Sequence, residues 1–155
     1  MGADADRTVT FSVALELPPC PWTLAVTRHA LEDLLDAAEV AQDSTRGRLA
    51  LALTEACANA VCHASTGGLY QVRIQLEDGR CVMEVSDRGP GFDPDQVPAA
   101  GPEIYRPRGL LVIRAIVDHL SLDALQPTGT RVTMVKKGVG KRPLRGPDTL
   151  SYYIR

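Results

Sequence analysis

Glu55 and Asn59 stand four residues apart in Leu53-Thr54-Glu55-Ala56-Cys57-Ala58-Asn59-Ala60-Val61-Cys62-His63-Ala64. A carboxylate and a carboxamide at that spacing lie one turn apart on one side of an α-helix. They can present oxygen to a Mg²⁺ ion or to its bound water, and one can hold the ion while the other works as a base. Two oxygens alone make a poor metal site. Mg²⁺ keeps several waters and borrows the rest of its shell from substrate phosphates, so the pair is useful when a nucleotide arrives. The same two residues also suit an ordinary helix with a polar side, and the helix alone does not decide. Leu49, Leu53, Cys57, Ala60 and Ala64 recur at spacings of three and four and form the core-facing stripe, to which Glu55 and Asn59 do not belong.

Two further stretches carry polar chemistry. Asp87-Arg88-Gly89-Pro90-Gly91-Phe92-Asp93 sets two glycines beside an acid, the composition of a loop whose backbone can approach a ligand closely. Arg108-Gly109-Leu110 opens a helix, and Gly129-Thr130 follows near the end. No G-x-x-x-x-G-K-[ST] occurs, which excludes a P-loop as phosphate cradle.

The elements that must position these residues follow from periodicity. Val9, Phe11, Val13 and Leu15 alternate over 8–15, a half-buried strand ended by Pro18, Pro19 and Pro21. Leu24, Ala25, Leu31, Leu34, Leu35 and Ala38 repeat helically over 23–40. Gln42-Asp43-Ser44 supplies N-cap candidates for the central helix over 45–64, and Gly67-Gly68 its stop. Residues 69–76 and 80–86 are strands joined by an Asp78-Gly79 hairpin. Residues 93–107, rich in Pro, form a long irregular segment, the profile of a lid or a disordered loop. After the helix that starts at Arg108, 120–125 and 131–136 form a final strand pair. The tail from Lys137 is expected to lack regular structure. This order predicts an α+β two-layer sandwich, one mixed, mainly antiparallel sheet with helices on one face.

Bulk properties bound the function. A chain of 155 residues, 45% hydrophobic and 23% charged, is most simply one soluble domain. A net charge of −2 argues against general nucleic-acid binding. Lys136, Lys137, Lys141, Arg142 and Arg145 crowd the C-terminal end with no acid among them, a solvated tail or a partner-binding one. The acidic N-terminus lacks a signal-peptide core, and no run of about 18 apolar residues occurs, so a cytoplasmic chain without a membrane span is expected. Cys20, Cys57, Cys62 and Cys81 form no C-x-x-C pair and read as reduced, mostly buried residues.

In their order and spacing, Glu-Ala-Cys-Ala-Asn-Ala-Val-x-His-Ala, Asp-Arg-Gly-Pro-Gly-Phe-Asp and Arg-Gly-Leu resemble the ATPase superfamily shared by DNA gyrase, heat-shock-90 chaperones, histidine kinases and MutL. Within it, the chain is most similar to the small bacterial anti-sigma-factor serine kinases, over about residues 8–136, with 1–7 a disordered N-terminus and 137–155 a basic tail. The resemblance implies ATP and Mg²⁺ as ligands. It makes Asn59 the Mg²⁺ ligand, Glu55 the general base and Asp87 the acceptor of the adenine amino group. Gly89 and Gly91 would let the purine lie on the backbone, Arg108, Gly109 and Leu110 would meet phosphate at a helix start, and Thr130 would sit near the adenine. Residues 93–107 would be the lid. Arg106 and Pro107 stand where the family often has glycines; proline removes an N–H, and Arg106 and Arg108 would either reach phosphate or remain surface residues. His63 is expected to have a packing or helix-end role.

Histidine kinases normally carry Asn at the position of Glu55, which points away from that branch. The function implied is an anti-sigma factor that sequesters an RNA polymerase sigma factor and phosphorylates a serine on an anti-anti-sigma antagonist, with a homodimer through the N-terminal region of the sheet. The alternative is an ATP-regulated partner-switching module without appreciable phosphotransfer.

Overall fold

The computed structural model describes residues 10–41, 43–63, 68–90 and 108–140, and the backbone of 150–154. The elements are β1 (Thr10–Leu17), α1 (Thr23–Ala37), α2 (Asp43–His63), β2 (Tyr70–Glu77), β3 (Arg80–Asp87), α3 (Arg108–Ile116), β4 (His119–Ala124), β5 (Thr130–Lys136) and β6 (Leu150–Ile154). They build one six-stranded sheet in the order β4-β5-β3-β2-β1-β6. Every neighbouring pair is antiparallel except β1 with β6. The α+β sandwich with a mixed, mainly antiparallel sheet is therefore the architecture observed.

Alternation in sequence becomes a two-faced sheet. Phe11, Val13, Leu15 and Leu17 of β1, Tyr70, Val72, Ile74 and Leu76 of β2, and Cys81, Met83 and Val85 of β3 are buried in one cluster with the helices. Arg73 and Glu84, paired across β2 and β3, belong to the opposite, polar set. The hairpin between β2 and β3 has Asp78 at φ 49° and Gly79 at φ 70°. Both central residues are left-handed, as a type I′ turn demands, and the Glu77–Arg80 pairing it sets puts all four apolar residues of β2 on the core side.

Ala64 of the expected stripe lies outside the described residues; helix α2 buries the rest of it, Leu49, Leu53, Cys57 and Ala60, together with Ala52 and Ala56. Those alanines let a helix backbone come close to its neighbours. Helix α1 contributes Leu31, Leu34 and Leu35, and also buries Thr23 and Thr27, which apolar periodicity did not mark. Their hydroxyls are satisfied. Thr23 Oγ1 donates to the Cys20 carbonyl at 2.7 Å, which leaves it to accept from the Tyr70 hydroxyl, also at 2.7 Å; Thr27 Oγ1 donates to the Leu24 carbonyl at 2.9 Å. Burial pushes the Tyr70 phenol and the Cys57 thiol each up to about 12.

Several expectations need correction. Strand β1 continues to Leu17, two residues past the expected end at 15, while residues 8 and 9 lie outside the described residues. Helix α1 stops at Ala37, not at residue 40, because Glu39 turns to φ 53°, the Glu39 N–H bonds to Asp36 O and the Val40 N–H to Leu35 O. That pattern is a Schellman ending, with the C″ residue Val40 buried as its apolar contact. The tail is not without regular structure: β6 pairs in parallel with β1, and Val139, buried, donates its N–H to Gly79 O at 2.7 Å. Composition hid this strand because its order comes from the unpaired backbone groups on the β1 edge. At the start of the basic run, which has no acid of its own in sequence, the Asp118 carboxylate accepts from Lys137 N at 2.6 Å and from Lys136 Nζ at 3.4 Å. Cys57 and Cys81 are buried, but Cys20 is only half-buried and Cys62 is exposed. The Gly67 stop and the segment 93–107 lie outside the described residues.

Candidate nucleotide site

Helix α2 carries the site along its length. Glu55 and Asn59 lie against the start of α3. A Cβ placed on Gly109 would stand 2.8 Å from Glu55 Oε2 and 3.7 Å from Asn59 Oδ1, so both polar side chains reach the first turn of α3 because residue 109 has no side chain. Two turns further on, at the end of α2, a Cβ on Gly89 would overlap the His63 carbonyl oxygen. From Glu55 to His63 the helix advances ~12 Å. One helix thus forms a common wall between the Gly109 helix start and the Asp87–Gly89 loop.

The second end of the site is made of backbone. Asp87 closes β3 and sits opposite Thr130, the first residue of β5. One carboxylate oxygen of Asp87 accepts the Gly89 N–H at 2.9 Å. Gly129 takes φ 123°, and a Cβ there would overlap the Asp87 carbonyl oxygen. Asp87 is therefore held between two close approaches, Gly89 against α2 and Gly129 against its own peptide, and both are open only to glycine. Thr130 is 8% exposed and lies across from Asp87 in the register.

The structure brings together most of the residues singled out by sequence. Glu55, Asn59 and Gly109 converge at one end; Asp87, Gly89 and Thr130 converge at the other. Arg108 is exposed at the first position of α3. Leu110, half-buried, packs against the core. Gly91, Arg106, Pro107 and the lid lie outside the described residues. His63 stands at the end of α2 with its carbonyl against Gly89. Sequence reasoning passed over the β4–β5 turn as a positioning element. The Arg88 guanidinium donates to Gln126 O at 3.0 Å, and Thr128 Oγ1 donates to Arg88 O at 3.3 Å. The signal available was Pro127-Thr128-Gly129-Thr130, where a glycine with a required left-handed φ follows a hydroxyl donor.

The donor set bears on a metal. Among the described residues no group of three or more His, Cys, Asp and Glu side chains is placed to hold an ion. Glu55 and Asn59 beside a helix start fit Mg²⁺ as a shared ligand completed by phosphate and water, and do not fit a cage made by the protein alone. Among those residues, too, no helix is long and apolar enough to cross a membrane.

Comparison with known proteins agrees with this fold. Residues 17–136 match the family model described as the histidine kinase-like ATPase domain. The anti-sigma F factors of Clostridium botulinum and Clostridium acetobutylicum are each 27% identical over 97 residues, 56% of this chain and 66% of those proteins. The chain thus spans just under two thirds of the length of these relatives. In fold, it is similar to the SiaB–SiaC complex structure from Pseudomonas aeruginosa, with a TM-score of 0.53, 19% identity, and coverage of 79% of this chain and 88% of that one. With the family model covering α1 to β5, and with the acid, amide and glycines on the elements described, the chain belongs to the histidine kinase-like ATPase domain family, a membership that implies ATP binding.

Proposed function

We propose that this protein is an ATP-binding anti-sigma factor that phosphorylates a serine of an anti-anti-sigma antagonist. One observation carries the reading: Glu55 and Asn59 lie against the α3 start at Gly109, while the same helix ends against the loop of Asp87. The likeness to anti-sigma F factors supplies the regulatory class. Sequestration of an RNA polymerase sigma factor, a homodimer and a cytoplasmic setting belong to the same proposal, as does the division into a domain over 8–136 and flanking segments.

Bound ATP with Mg²⁺ would supply the γ-phosphoryl group and the cation that offsets its charge. Asn59 would hold the ion through its amide oxygen. Glu55 takes the proton of the incoming seryl hydroxyl, a contribution of roughly 10²–10⁴ in rate. Asp87 accepts from the adenine amino group with the carboxylate oxygen that Gly89 leaves open, and guanine would leave that charge facing an acceptor. The backbone of Gly109 and Leu110 opens α3, where N–H groups and the helix dipole favour phosphate. Arg108 is exposed at the same turn and can add its charge.

The test is transfer of label from ATP to candidate antagonist proteins. The parent protein should label one of them on serine, and Glu55→Gln should lower transfer by about 10²-fold or more with nucleotide affinity nearly unchanged. Full transfer by that variant sinks the assigned base. Tight ATP binding by the parent with no transfer to any candidate favours the ATP-regulated partner switch, a reading that Pro107 before the α3 start supports through its missing N–H.

A further inference from the structure

We propose that Arg88 is a positioning residue for nucleotide selectivity, acting by tying the Asp87–Gly89 loop to the β4–β5 turn. This rests on the base-recognition role of Asp87. Arg88 is exposed, and its side chain has no place in the core. It nevertheless makes a specific reach across 38 residues of sequence, its guanidinium donating to Gln126 O at 3.0 Å. The turn answers in the opposite direction: Thr128 Oγ1 donates to Arg88 O at 3.3 Å. Side chain and backbone of one residue are thus bonded to two residues of the same turn. The turn is itself closed by Leu125 N–H on Gly129 O at 2.9 Å and pressed by Gly129 against the Asp87 carbonyl.

The consequence falls on Asp87. Its carboxylate is oriented by the Gly89 N–H, so its direction depends on the peptides of Arg88 and Gly89 staying where they are. The ladder ends at the Asp87–Thr130 pair, and beyond it the cross-links from Arg88 and Thr128 take over the work of strand pairing. A carboxylate held this way can penalise a wrong base, because it cannot swing aside to find another donor. Loosened, it would bind adenine less well and reject guanine less firmly.

Amide hydrogen exchange of Gly89 in the nucleotide-free protein, together with affinities for ATP, ADP and GTP, tests the latch. Arg88→Ala should speed Gly89 exchange and weaken ATP and ADP by the same factor, roughly tenfold, with little change for GTP, so that selectivity narrows. Arg88→Lys, which keeps one donor for Gln126 O, should restore most of the selectivity. Thr128→Val, which leaves every charge in place, should shift the same quantities in the same direction by a smaller factor. A larger loss for ATP than for ADP would mean that Arg88 touches the terminal phosphate, and would overturn the proposal. Unchanged Gly89 exchange in Arg88→Ala would overturn it as well. If the parent protein bound no nucleotide, the functional reading would fall, while the exchange measurement would still decide whether the latch exists.

Discussion

The two ends of helix α2 meet their neighbours in different ways. At the Asp87 end, backbone touches backbone: Gly89 lies on the His63 carbonyl and Gly129 on the Asp87 carbonyl. At the Gly109 end, backbone touches the tips of side chains, those of Glu55 and Asn59. A backbone contact cannot yield without moving a strand or a helix, whereas a carboxylate can rotate away for little energy. The end proposed to recognise the base is built into the fold; the end proposed to do chemistry is left adjustable.

Alanine at each glycine separates the two. Gly109→Ala should retain stability or gain some, since alanine is the better helix former by up to about 1 kcal/mol. Its Cβ displaces Glu55 Oε2, so phosphotransfer should fall by roughly 10²-fold, measured as labelled antagonist beside a thermal melt. Gly129→Ala and Gly89→Ala should do the reverse damage, costing about 1–3 kcal/mol in denaturant unfolding because backbone must shift. An unfolding midpoint for Gly129→Ala equal to that of the parent would break the comparison. Tyr70→Phe reaches neither end and should cost about 1 kcal/mol, through the lost bond to Thr23, with nucleotide affinity unchanged.

The smallest expected effect concerns Asp118. The backbone N–H of Lys137, with Lys136 nearby, holds its carboxyl below the usual carboxylate range. A depressed folded value means that the stabilisation is present above the ordinary carboxylate pKa and is lost as pH falls through the folded one. Acid titration of stability should therefore show a slightly shallower acid limb in Asp118→Asn than in the parent. An identical limb in both would show that this exposed pairing contributes nothing measurable.

Much of this is legible in the sequence. Tyr70, Val72, Ile74 and Leu76 alternate because a half-buried strand has a period of two, and all four are buried. Asp78-Gly79 announces its turn because few other pairs accept two left-handed residues. Glu55, Asn59, Asp87, Gly89 and Gly109 stood out because acid, amide and glycine at those spacings are unusual in a helix or strand built only for packing. What escaped was set by partners distant in sequence: Thr23 and Thr27 buried through Tyr70 and local carbonyls, Glu39 turning left-handed to end α1, and β6 settling on the β1 edge.

Periodicity and residue type, local properties that a chain carries whatever surrounds it, mark out β1 to β5, the three helices and the residues able to do chemistry. That Gly109 faces Glu55, that Gly89 and Gly129 close on either side of Asp87, and that Arg88 reaches Gln126 follows from the packed fold. Those contacts join segments that are dozens of residues apart, and their existence depends on strand order and register, which no single stretch of sequence contains.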